Sequence, residues 1–154
     1  MDLSVRPPSV ALEAMTDATD PTASDPNTLL DLMPFTKAIG AVFSRYSKEE
    51  VKARLDWAPE LCTAGGLLHG GAVMSLADST GAAYAFLNLP EGAAGTTTVE
   101  SKTNFLRGVR DGYVEAVSRP LHVGRTVVVV ETDVRDPQDR LVAWVLQTQL
   151  VLSA

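Results

Sequence analysis

The chain of 154 residues carries a single cysteine, Cys62, and two histidines, His69 and His122. One cysteine excludes an internal disulfide and suits a reducing compartment. With two histidines and no CxxC or HExxH spacing, no metal ligand set is expected. Basic residues are scarce as well: 13 Lys and Arg against 19 Asp and Glu give a formal net charge of −6. That sign argues against broad nucleic-acid binding, which relies on Lys and Arg to neutralise phosphates, but leaves room for a small anionic ligand held by a few local cations. No apolar run reaches the length of a membrane-spanning helix, so no membrane association is expected. The N-terminus shows neither the basic nor the apolar region of a secretory signal, and the expected location is cytoplasmic.

What the chain does have is 45% hydrophobic residues against 21% charged, a balance that at this length supports one soluble domain with a sizeable core. Residues 1–25, with Pro7, Pro8 and Pro21 and no sustained periodicity, read as a mobile tail with a short helix near Val10–Met15. Residues 26–154 read as the domain. A short helix is expected around Asn27–Met33, capped by Asp25 or Asn27 and ended by Pro34. Ala38–Tyr46 reads as a strand. Val51, Ala53, Leu55 and Trp57 alternate with Lys52, Arg54 and Asp56, which is the period of a half-buried strand, and the two strands make a hairpin. After a loop over Ala58–Gly66 comes the one long helix, Gly71 to about Leu89. Four strand-like runs follow: Thr96–Arg107, Gly112–His122, Thr126–Arg135 and Leu141–Leu152. The order predicts an α+β domain in which one helix lies on an antiparallel sheet. Val127–Val130 shows no alternation and is expected to be buried on both faces.

The candidate site lies in Leu67–Leu68–His69–Gly70–Gly71–Ala72–Val73–Met74–Ser75–Leu76–Ala77–Asp78. Paired glycines weaken a helix, and a lone Asp among apolar residues is costly if buried without a partner. Two unfavourable choices this close together point to a site. Val73, Leu76, Thr80, Ala83 and Leu87 share one helical face. Asp78 falls about 200° around the helix from Leu76, on a second face with Gly71, Ser75 and Ala82 whose small side chains let another surface approach. A helix start offers unpaired N–H groups and a partial positive charge. The Gly70 N–H is thus suited to the oxygen of a carbonyl that gains negative charge in its transition state. Asp78 is suited to act as a nucleophile or as a general base for water. His69 reads equally as a residue that orients substrate and as a helix cap. Ser75 and Ser79, with no G-x-S-x-G elbow, read as packing or hydrogen-bonding residues. His122 reads as structural and Cys62 as an inert buried thiol.

The sheet-plus-helix order, the blocks Gly66–Leu67–Leu68–His69–Gly70–Gly71 and Leu76–Ala77–Asp78, and the segments Thr103–Asn104–Phe105–Leu106–Arg107 and Gly124–Arg125–Thr126 together resemble the hotdog fold, in which a sheet wraps one central helix. Within that fold the chain resembles the acyl-CoA thioesterases of the phenylacetic-acid-degradation (PaaI) type, from about Leu32 to the C-terminus. The resemblance implies hydrolysis of an acyl-CoA to free acid and CoA. Asp78 would be the catalytic carboxylate, working across a dimer interface against the Gly70 N–H of the other subunit. No cofactor is implied, coenzyme A being part of the substrate. Arg107, Arg125 and Thr126 would contact coenzyme A, with Gly71, Ala82 and Thr63 lining the substrate; Lys102 and Arg110 are weaker candidates. A homodimer joined sheet edge to sheet edge and paired into a homotetramer is expected, with the acyl group near Asp78, Ala82, Tyr84 and Phe86. The chain departs from the family pattern at Thr63, where an amide residue is usual six positions before the histidine, and at Gly108, where proline is usual. Two other readings stand beside this one: a non-catalytic hotdog module binding acyl-CoA or an acyl carrier, and a hotdog hydratase or dehydratase. The second lacks its expected acid–histidine loop arrangement here.

Overall fold

A computed structural model describes residues 26–153; the expected tail at 1–25, its helix and the Asp25 cap lie outside the described residues. The chain enters through a 3-10 turn, Pro26–Asp31, and then a short α-helix, α1, Pro34–Ala38. Pro34 was expected to end a helix and instead begins one. Its fixed φ and missing N–H suit the first helical position, where no intrahelical acceptor is available. The expected strand from Ala38 is correspondingly shorter, because Lys37 and Ala38 complete α1 and the strand β1 starts only at Val42 (Val42–Tyr46). Asn27 accepts the Phe43 N–H at 2.9 Å and so ties the entry turn to β1.

The strand β2 (Val51–Asp56) pairs antiparallel with β1 as the expected hairpin. The long helix α2 spans Gly70–Leu87, beginning one residue and ending two residues before the predicted bounds. Four strands follow: β3 (Ala93–Phe105), β4 (Tyr113–Val123), β5 (Val127–Arg135) and β6 (Leu141–Ser153). All neighbours run antiparallel in one sheet of order β1-β2-β4-β5-β6-β3, so β1 and β3 are its edges. Alternation along β4 and β5 turns Val114, Ala116, Val128, Val130 and Val134 inward, toward α2. Val127 and Val129 are only half-buried. The valine run is therefore buried on one face of the chain and not on both, because the helix covers a single side of the sheet.

The face of α2 against the sheet is wider than the predicted stripe and takes in Ala77, Gly81, Tyr84 and Ala85 as well. Tyr84 is in the core, 1% exposed, so it does not line an open acyl pocket as expected. Burial, and secondarily the Glu49 carboxylate, hold its hydroxyl above the ordinary tyrosine range. The Ser79 and Thr36 hydroxyls share a 2.7 Å bond that fastens α1 to α2. Among the described residues no helix is long and apolar enough to cross a membrane. Leu76, fully buried between α2 and the sheet, anchors the turn that carries Asp78. Leu76→Ala is expected to cost about 2–5 kcal/mol, read as a lowered midpoint of chemical unfolding.

Candidate active site

His69 caps the long helix. Its backbone is extended (φ −65°, ψ 137°), and its Nδ1 accepts the Gly71 N–H at 2.8 Å. Accepting at Nδ1 places the ring proton on Nε2. Of its two sequence readings, the cap is the one this geometry realises, and the exposed ring leaves Nε2–H available to a ligand. His69 also receives the Ala72 and Val73 amides on its carbonyl oxygen. With the Gly71 amide spent on the cap, the Gly70 N–H has no acceptor among the described residues. Gly70 is glycine for a local reason, since a β-carbon there would meet the Phe105 ring at 3.0 Å. That ring is 53% exposed and the adjoining Leu106 58%, so a bare N–H at the positive end of an 18-residue helix sits beside an apolar surface.

Two turns along, Asp78 is half-buried on the flank of α2. Its Oδ1 accepts from Gln147 Nε2 at 2.5 Å and from Thr98 Oγ1 at 3.1 Å. Thr98 in turn accepts from Gln149 Nε2 at 2.7 Å. Gln147 Nε2 also reaches the Thr98 oxygen at 3.2 Å, so the two donors to the carboxylate are themselves linked. Oδ2 meets no partner among the described residues. Both glutamines are fully buried on β6. Sequence reading missed Gln147, Gln149 and Thr98. Their trace was present in Leu146–Gln147–Thr148–Gln149–Leu150, where two amides take inward positions of an otherwise apolar strand. The register, with Thr98 opposite Gln149 and Ser101 opposite Gln147, is what brings them together.

The remaining candidates divide. Ala82 is half-buried one turn beyond Asp78, and Ser75 donates to the Gly71 carbonyl at 2.8 Å. Thr63 is exposed in a tight loop whose backbone N–H donates to the Leu67 carbonyl. Cys62 is half-buried rather than buried, with its thiol donating to the Ala58 carbonyl. His122 is exposed on β4. Gly108 lies under Leu67, and Arg110 donates to the Gly65 carbonyl. Arg107, Arg125 and Thr126 are all exposed, but one chain does not bring them together. The Arg107 N–H donates to the Val142 carbonyl, and the Thr126 carbonyl accepts from Val151. Nine residues of β6 separate those two points, about 30 Å at 3.3 Å per residue. A groove of about 320 Å³ lies elsewhere, lined in part by Lys52, Tyr113, Arg119, Asp133 and Arg135, and contains none of the predicted site residues. No group of three or more metal-ligating side chains occurs among the described residues.

A family model described as thioesterase superfamily matches residues 65–143, just over half of the chain and all of the segment from the helix cap to β6. The chain belongs to the thioesterase superfamily. A putative esterase of Mycobacterium tuberculosis is 30% identical over 125 residues, 80% of this chain and 89% of that protein. Its solved structure superposes with a TM-score of 0.76 at 29% identity over 79% of this chain and 98% of that one. A 1,4-dihydroxy-2-naphthoyl-CoA hydrolase of Escherichia coli is 38% identical over 76 residues, 49% of this chain and 55% of that enzyme. The Escherichia coli PaaI protein shares the fold, with a TM-score of 0.76 at 18% identity over 84% of this chain and 92% of that one. This is the hotdog thioesterase fold, as the sequence resemblance implies, and a thioesterase-superfamily chain with relatives named esterase and hydrolase is supported as a thioester hydrolase.

The cap makes a direct prediction for this thioesterase-superfamily chain. His69→Ala is expected to destabilise it by about 1 kcal/mol through the lost Gly71 bond, a lowered thermal midpoint being the readout.

Proposed function

We propose that the chain is an acyl-CoA thioesterase in which Asp78 is the reacting carboxylate and the Gly70 N–H polarises the thioester carbonyl. The observation that carries this reading is the state of Asp78: a half-buried carboxylate with one oxygen held by Gln147 and Thr98 and the other unpartnered. Oδ2 then either attacks the thioester carbon, forming an acyl anhydride that water opens, or takes a proton from the water that attacks. Both routes break the carbon–sulfur bond, and the thiolate departs as coenzyme A. Negative charge building on the carbonyl oxygen is met by an amide at a helix N-terminus, which costs no reorganisation.

Gly70 and Asp78 of one chain lie eight residues apart on one helix, about 12 Å at 1.5 Å per residue. That span is too long for both to grip one thioester carbon, so each would serve a different site, completed by a second copy. The edge strand β3 supports such an assembly. It runs from Ala93 to Phe105, carries exposed residues from Thr97 to Glu100, and pairs on one side only among the described residues. Unpaired strand edges are a template for a further strand, and a homodimer joined there, itself paired into a homotetramer, is the proposed form. A second subunit would also allow Arg125 and Thr126 to join Arg107 in holding the anionic coenzyme A, which guanidinium groups suit through charge-assisted bonds. A module that only bound acyl-CoA would have no use for a carboxylate so held.

Release of free thiol from a panel of aromatic and aliphatic acyl-CoA esters tests the reading. Asp78→Asn is expected to lose about a hundredfold or more of turnover while remaining folded. Full activity in that variant would overturn the proposal.

A further inference from the structure

Gly81 lies in the interior of α2 and is fully covered. Glycine there costs about 1 kcal/mol relative to alanine, and the local structure does not ask for it. The space it leaves is filled from the sheet, since a β-carbon at Gly81 would collide with the side-chain carbonyl of Gln147. Gln147 is itself an expensive choice. It is 0% exposed, and its Oε1 is buried with no hydrogen-bond partner, a penalty that a methionine or leucine of similar size would not carry. Two destabilising residues on different elements therefore combine to deliver one N–H group to Asp78.

Both donors to the carboxylate, Gln147 Nε2 and Thr98 Oγ1, converge on the same oxygen, Oδ1. Gln149 keeps the Thr98 hydroxyl proton turned toward Asp78 by donating to its oxygen. A carboxylate pinned on one oxygen cannot rotate freely about its terminal bond, and its lone pairs are engaged unequally. We infer that Gln147 and Thr98 are positioning residues: they hold Oδ1 of Asp78 so that Oδ2 is the oxygen presented to the thioester or to water. The inference rests on the proposed catalytic role of Asp78 and says which of its oxygens reacts and what fixes it. Gly81 serves the same end by letting the Gln147 amide reach across.

Steady-state thiol release on the full-length chain tests this with three single variants, and with Asp78→Asn alone and combined with one of them. Gln147→Met keeps the volume and removes the donor. Thr98→Val removes the hydroxyl at an exposed strand position, leaving the buried Gln149 amide without that acceptor, and Thr98→Ser, which restores the hydroxyl, separates loss of the bond from loss of fold. The expected result for Gln147→Met is a kcat about 10- to 100-fold lower with KM unchanged and a thermal midpoint that does not fall, because the orphaned Oε1 goes with the amide. Thr98→Val is expected to lower kcat in the same way, and Thr98→Ser to return it. In an Asp78→Asn background, Gln147→Met should change nothing further. Wild-type kcat in both Gln147→Met and Thr98→Val, with Asp78→Asn inactive, would overturn the positioning role and leave the catalytic reading standing. Activity retained in Asp78→Asn would overturn the catalytic reading itself.

Discussion

The close approach of the Gly81 backbone to the Gln147 side chain governs where the long helix lies on the sheet at Asp78. With a β-carbon at Gly81 the helix would shift or the amide would turn away. Leu76 and Ala77, both fully buried, press the same helical turn onto the strands, and the Ser79–Thr36 bond holds it from the far side. Apolar packing thus presses the helix onto the sheet as far as the Gly81–Gln147 contact allows, and at that height the amide meets a carboxylate. Stability is given up at Gly81 and at the unpartnered Gln147 oxygen, and the surrounding core makes good the loss.

The other end of the helix is built on the same principle with opposite polarity. Capping by His69 uses the Gly71 amide and leaves the Gly70 amide unused, so the helix dipole is presented at one N–H group. At Asp78 the donors come to the protein's own carboxylate and leave one oxygen unused. Each half of the proposed chemistry is an unsatisfied group kept in place by satisfied neighbours. In the proposed thioesterase the two halves would serve different sites, each completed by a second copy.

Much of this was legible in the sequence where the cost of a residue is local. Gly70–Gly71 and Asp78 stand out because a helix disfavours the pair and an apolar helix disfavours the charge, and no knowledge of the sheet is needed to see it. The alternation of β2 was legible for the same reason. Pro34 was misread because proline is tolerated both after a helix and at its first position, and only the following residues decide between the two. Tyr84 was misplaced because its burial is tertiary: α2 packs on the sheet there, and the β1–β2 turn meets its end where Asn88 donates to the Lys48 carbonyl. Gln147, Gln149 and Thr98 were missed because their role depends on the β3–β6 register, which no local pattern specifies. Gly81, an interior glycine in a helix, was a readable trace beside the two inward amides of β6, but its meaning lies on another element.

The central claim is that each site is shared between two copies, with the Gly70 amide from one and the Asp78 carboxylate from the other. Gly70→Pro removes that amide at a position whose backbone suits proline at a helix start, provided the exposed Phe105 ring gives way to the added β-carbon, and Asp78→Asn removes the carboxylate. Each variant alone should be nearly inactive in thiol release. Dissociating the two, mixing them and letting them reassociate should restore activity, because each mixed dimer rebuilds one intact site from the undamaged halves. If the mixture stays as inactive as its components while mixed dimers demonstrably form, the shared-site account is contradicted.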